Sequence, residues 1–87
     1  MNTENFNKAC DINRRIYNIN QELENLNNVS SIVCNSYDTV TIGVRSIFTS
    51  DTVYLKVPVD FMGNLVQDYR KYLEKELVAK KTEFDEL

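Results

Sequence analysis

The chain has no histidine, one proline, two glycines and two cysteines in 87 residues. Each shortage excludes something. Without histidine the commonest general base and metal ligand is missing. Ser-His and Cys-His nucleophile pairs cannot be assembled. Gly43 and Gly63 stand alone, so there is no glycine-rich phosphate loop. With a single proline, the chain has few tight turns and no flexible linker. Two cysteines make a poor zinc site by themselves. Cys10 falls in an expected helix and Cys34 in an expected strand. Both are read as reduced thiols, buried as small apolar side chains. No run approaches the length of a membrane span. The opening MNTENFNKAC lacks the basic and apolar regions of a secretory leader. The expectation is a cytoplasmic protein with no metal and no cofactor.

The net charge of −3 is spread over both ends. It disfavours nucleic acid, which needs a basic face. No acidic block stands alone, so an acidic mimic of DNA is also a poor fit. The carboxylates sit at salt-bridge spacings, on helix faces expected to be solvated, which argues against paired-carboxylate catalysis. The chain reads as non-enzymatic.

What is present is an apolar ladder. Ala9, Ile12, Ile16, Ile19, Leu23 and Leu26 follow one another at steps of 3, 4, 3, 4 and 3. That is the repeat of a helix seam packing along another helix. A first helix is expected over about 3–27, capped by Thr3 or Asn2, with Glu4 in its first turn. Asp11 and Arg15 are spaced to pair on it. Asn25, Asn27 and Asn28 weaken its end.

Beyond Val29 the period changes to two. Strands are expected at about 29–35, 40–48 and 52–57, joined by turns at 35–39 and 49–51. In the middle strand Val40, Ile42, Val44 and Phe48 share one face. In the last strand Val53, Leu55 and Val57 do the same, with Thr52, Tyr54 and Lys56 opposite. Pro58 then leads into a second helix over about 59–86. Its apolar arc is wide through Phe61, Met62, Leu65, Val66, Tyr69, Tyr72 and Leu73. It narrows to Leu77, Phe84 and Leu87, interrupted by Lys80. A wide arc suits a sheet and a narrow one suits a single helix. Gly63 suggests a close helix–sheet contact. Arg70–Glu74, Glu76–Lys80 and Lys81–Asp85 are spaced as ion pairs.

These elements make residues 1–87 a single α+β domain in two layers: a helix, a three-stranded antiparallel meander and a helix, both helices on one sheet face. A helix of about 35 Å overhangs a nine-residue strand of about 30 Å. Overhanging seams call for a partner, and a small chain needs a stabiliser. A homo-oligomer, a dimer in the first instance, is expected through Ile12, Ile16, Ile19, Leu23, Leu26, Leu77, Phe84 and Leu87. The alternative is that the ladder is the buried face of a helix packed within its own chain.

Two groups are candidates for partner or ligand contact. Arg45 is read mid-strand on the outer face near Tyr54 and Lys56, where guanidinium and phenol can grip a planar anion. Arg14 and Arg15, with Arg70 and Lys71, add cations that subunits can bring together. The tyrosines, Tyr17, Tyr37, Tyr54, Tyr69 and Tyr72, suit an interface. Two functions follow: a protein that binds another macromolecule, and a binder of a small anionic ligand or nucleotide between subunits.

The chain is short, and eleven asparagines crowd towards its start. It closes on VPVDFMGNLVQDYRKYLEKELVAKKTEFDEL, a strand ending in proline and running into a Tyr-, Lys- and Glu-rich helix. In this style it resembles the short uncharacterised proteins of bacteriophages and other mobile elements. That resemblance implies an inhibitor of a host protein or a sponge for signalling nucleotides, acting in the host cytoplasm.

Overall fold

A computed structural model describes residues 2–87. Helix α1 (Thr3–Cys34) opens at Asn2, whose side-chain oxygen accepts the Asn5 N–H at 2.8 Å. Glu4 sits in the first turn and pairs with Lys8 at 3.6 Å. The residues expected as a first strand, 29–35, are instead the last turns of this helix and its cap. Val29, Ile32 and Val33 each disfavour helix by about 0.5 kcal/mol relative to alanine. Val33, however, lies seven residues beyond Leu26 and is buried. Packing along the seam overrides the weak local preference. The helix ends where side chains replace its lost backbone bonds. Asn35 donates through Nδ2 to the Ser31 carbonyl at 2.9 Å, and the Ser36 hydroxyl donates to the Ile32 carbonyl at 2.7 Å.

Strands β1 (Thr39–Val44) and β2 (Val53–Pro58) form an antiparallel hairpin, with Val40 opposite Val57, Ile42 opposite Leu55 and Val44 opposite Val53. Among the described residues the sheet has two strands rather than three. The strand expected to reach residue 48 stops at Val44 because Ser46 diverts it. Its hydroxyl accepts the Phe48 N–H at 3.1 Å and its carbonyl accepts the Thr49 N–H at 3.3 Å. Serine competes with the sheet ladder in this way wherever it can bond the backbone nearby.

Helix α2 (Val59–Asp85) follows Pro58 directly. The Val59 N–H donates to the Asp38 carbonyl at 3.0 Å, tying the start of α2 to the root of the hairpin. The two helices run antiparallel, so that Arg15 faces Glu76 and Glu22 faces Tyr69. Their core cluster is Ile19, Leu26, Val66 and Leu73, with Leu23, Val29, Met62 and Leu77 packed around it. Every member lies on a helix.

The α+β class therefore stands, but the layering differs from the expected one. The helices pack on each other as a stalk, and the β-hairpin is carried at one end. Val59, Met62, Val66, Tyr69 and Leu73 supply α2 with a stripe that matches the α1 ladder. Two matched narrow stripes satisfy each other better than either satisfies a sheet. The outer width of the α2 arc, which pointed to a sheet beneath it, is left bare at Phe61, Leu65 and Tyr72.

The result is an elongated molecule of 54 × 28 × 15 Å. Its radius of gyration is 17.0 Å, against about 12 Å for a compact chain of this length. Its accessible surface is 6928 Å², against roughly 5,300 Å² for a compact monomer of this mass.

A Cβ built on Gly63 meets nothing within 4 Å, so the expected close contact with the sheet is absent. Glycine inside a helix then only costs backbone entropy. Gly63→Ala should raise the stability of the chain by about 1 kcal/mol in urea unfolding. A loss of stability instead would mean that something packs against that position.

Candidate interaction surface

The expected assembly residues divide by depth. Ile12, Ile19 and Leu26 are buried in the seam, while Ile16, Leu23 and Leu77 are half-buried. Phe84 and Leu87, at the free end of the stalk, are exposed by just over a third. The heptad positions Ile12, Ile19, Leu26 and Val33 thus face the chain's own second helix.

That seam turns polar towards the free end. Glu76 occupies a position where α2 faces α1, and Arg15 reaches it from across the stalk. One carboxylate oxygen, Oε1, accepts from Arg15 Nε at 2.7 Å and Nη2 at 2.6 Å. The other, Oε2, is buried and has no hydrogen-bond partner. Asp11, expected to pair with Arg15, meets Arg14 at 3.7 Å. Lys80, expected to pair with Glu76, meets Glu83 at 3.2 Å. Among the described residues neither Arg70–Glu74 nor Lys81–Asp85 closes into an ion pair. Glu74, Lys81 and Asp85 are exposed, where holding two long side chains together gains little.

The second candidate group is not assembled as expected either. Arg45 lies in the loop just beyond the last ladder pair rather than mid-strand. Tyr54 is opposite Gly43, and a Cβ on that glycine would sit 3.2 Å from the tyrosine ring. The ring therefore lies across its neighbouring strand. Lys56 is opposite Thr41. Arg14 and Arg15 are nearly twenty residues of helix away from the hairpin, about 29 Å at 1.5 Å per residue. The hairpin group and the Arg14–Arg15 group do not converge within one chain.

Both cysteines are exposed, contrary to the expected burial. Cys10 follows seam residue Ala9 and so points off the seam. Cys34 ends α1 instead of lying in a strand. Among the described residues no group of His, Cys, Asp and Glu is placed to hold a metal ion. No described helix is long and apolar enough to cross a membrane.

The feature that dominates the surface is the β-hairpin. Val40, Ile42, Val44, Val53, Leu55 and Val57 all share one face by register. The strand contacts with α2 lie at the root, where Val40 is only 7% exposed. Towards the tip, Leu55 rises to 50% and Val53 to 62%. In the loop, Ile47 and Phe48 reach about nine-tenths exposure. Alternation along the strands identifies this face in the sequence, but it also places Ile47 and Phe48 in a strand, whereas they lie in the turn beyond it. A second apolar strip lies along the stalk, where Leu26, Val29, Met62, Leu65, Val66 and Tyr69 line an open groove. Tyr72 stacks on Tyr69 beside it, with ring centroids 6.2 Å apart. Burial first, and then the charge and hydrogen bond of Glu22, raise the Tyr69 phenol above its ordinary value of 10.0.

Set against models of protein families, curated proteins and solved structures, the chain matches none of them.

The polar end of the seam can be tested directly. Arg15→Ala leaves the Glu76 carboxylate behind, half-buried and unpaired, and should cost about 1–2 kcal/mol in urea unfolding. Replacing both residues by leucine removes the charge with its partner and should restore or exceed wild-type stability. A double variant less stable than Arg15→Ala would contradict this reading of the pair.

Proposed function

We propose that this chain is a non-enzymatic interaction protein that works as a homo-oligomer, a dimer in its simplest form, and acts by binding another macromolecule. The observation that carries this reading is the surplus of bare apolar surface. The chain presents roughly 1,600 Å² more surface than a compact monomer of its mass. Bare apolar side chains stand on both parts of it: Val44, Ile47, Phe48, Val53 and Leu55 on the hairpin, with Phe61, Leu65, Tyr69 and Tyr72 along the stalk. Monomers rarely leave contiguous apolar patches of more than a few hundred Å² in water. The composition of these patches, aromatic and aliphatic with few charges, is that of the centre of a protein interface. Steric and hydrophobic complementarity is therefore the mechanism. The resemblance to short phage proteins supports a host macromolecule as the target, met in the host cytoplasm.

Light scattering across a concentration series tests the assembly. The expected mass is at least twice the chain mass of 10.1 kDa, falling only on high dilution. A mass of 10.1 kDa throughout the micromolar range would overturn the oligomeric reading.

A further inference from the structure

We infer that the bare half of the β-hairpin is covered by the hairpin of a second copy of this chain, the two stacking tip to tip with their stalks pointing away from each other. This rests on the assembly reading above and places the contact.

The hairpin cannot be self-sufficient. A two-stranded sheet with one free face is marginal in water, and both of its strands are edges. Helix α2 covers only the root, around Val40. What remains is Val44, Val53 and Leu55 on the face, with Ile47 and Phe48 in the loop beyond. No charged side chain interrupts that face. The edge devices that keep strands apart, a lysine or an inward charge, are missing from it. Lys56 points to the opposite face, alongside Tyr54.

Three observations favour a second copy over an unrelated partner. First, the bare side chains of the patch, Val44, Ile47, Phe48, Val53 and Leu55, present on the order of 600 Å² of apolar surface per copy, which is what each partner of a small standard interface hides. Second, the charge is distributed for self-association. Asp38 and Asp51 balance Arg45 and Lys56, so residues 38–58 are neutral, and the net −3 resides on the stalk. Two copies meeting at their hairpins bring neutral segments together and hold like-charged stalks apart. Third, a face of this kind is an aggregation hazard from the moment the chain folds. A copy of the same chain is the partner present at that moment in equal amount.

The geometry follows from which half is covered. Because α2 occupies the root, an incoming sheet can lie only over the tip half. Two hairpins stacked about 10 Å apart then interleave Val44, Val53 and Leu55 of one with those of the other. Val53, near the middle of the overlap, then lies closest to its counterpart across the two-fold axis, and Phe48 of each loop is laid towards Leu55 of the other copy.

Sedimentation velocity on three proteins tests this: wild type, the hairpin variant Val44→Lys/Leu55→Glu, and the stalk variant Leu65→Glu/Tyr72→Glu. The hairpin variant should weaken association at least a hundredfold while keeping its helical circular dichroism, and the stalk variant should keep the wild-type mass. A second measurement does not depend on the hairpin variant folding. Val53→Cys in a Cys10→Ser/Cys34→Ser background should form a covalent dimer with oxidised glutathione, whereas Tyr17→Cys in that background should not. An oligomer that survives the hairpin change, or that is lost in the stalk variant alone, overturns the placement and leaves the assembly reading standing. A wild type that is monomeric throughout overturns both.

Discussion

Ile19 and Leu73, the two most deeply buried side chains of the molecule, lie in the middle of a seam between two antiparallel helices. Everything else depends on that seam. It holds α2 back along α1 and so brings Val59 beside Asp38, closing the root of the hairpin. It is built at heptad spacing, which fixes which faces of the two helices meet. Its far end is deliberately less apolar: Glu76 and Lys80 replace hydrophobic side chains there, and Arg15 answers Glu76 from the opposite helix. A charged position in a seam costs stability, and its best-attested use is to set register. Slipping α2 by one turn would leave Glu76 without its partner.

A seam of this size makes a stalk but not a globule. Two helices pressed together bury one stripe each and leave two broad sides in water. The 15 Å thickness of the molecule expresses this, as does its surplus surface. The β-hairpin inherits the same problem, since only its root meets a helix. The graded exposure from Val40 to Phe48 records how far the cover extends.

Much of this architecture is legible in the sequence. The 3-4 ladder marks the seam, Pro58 marks the start of α2, and alternation in residues 40–44 and 53–57 marks the paired faces of the hairpin. Local preference and long-range spacing disagree at the end of α1. Val29, Ile32 and Val33 read as a strand because they are β-branched, yet Val33 continues the series Ile12, Ile19, Leu26 by another seven. Long-range spacing was the better signal there. Ser46 shortens the middle strand through a hydrogen bond that periodicity cannot register. The cysteines are exposed because neither lies on the seam: Cys10 is one step past Ala9, and Cys34 one step past Val33. The candidate surface was harder still. Alternation says that Val44, Val53 and Leu55 share an apolar face. It does not say where the cover of that face ends, because that depends on where α2 runs in three dimensions.

The central claim is that the ladder is closed within a single chain, which is what leaves the hairpin to face outward. Nuclear Overhauser contacts between Ile19 and Leu73 methyl groups test it most directly. They are measured on a sample in which each labelled chain is diluted into a large excess of unlabelled ones. The account predicts that these contacts persist at full strength per labelled chain. Their disappearance on dilution, with recovery only when differently labelled chains are mixed, would show that the helices pair between chains and would contradict it.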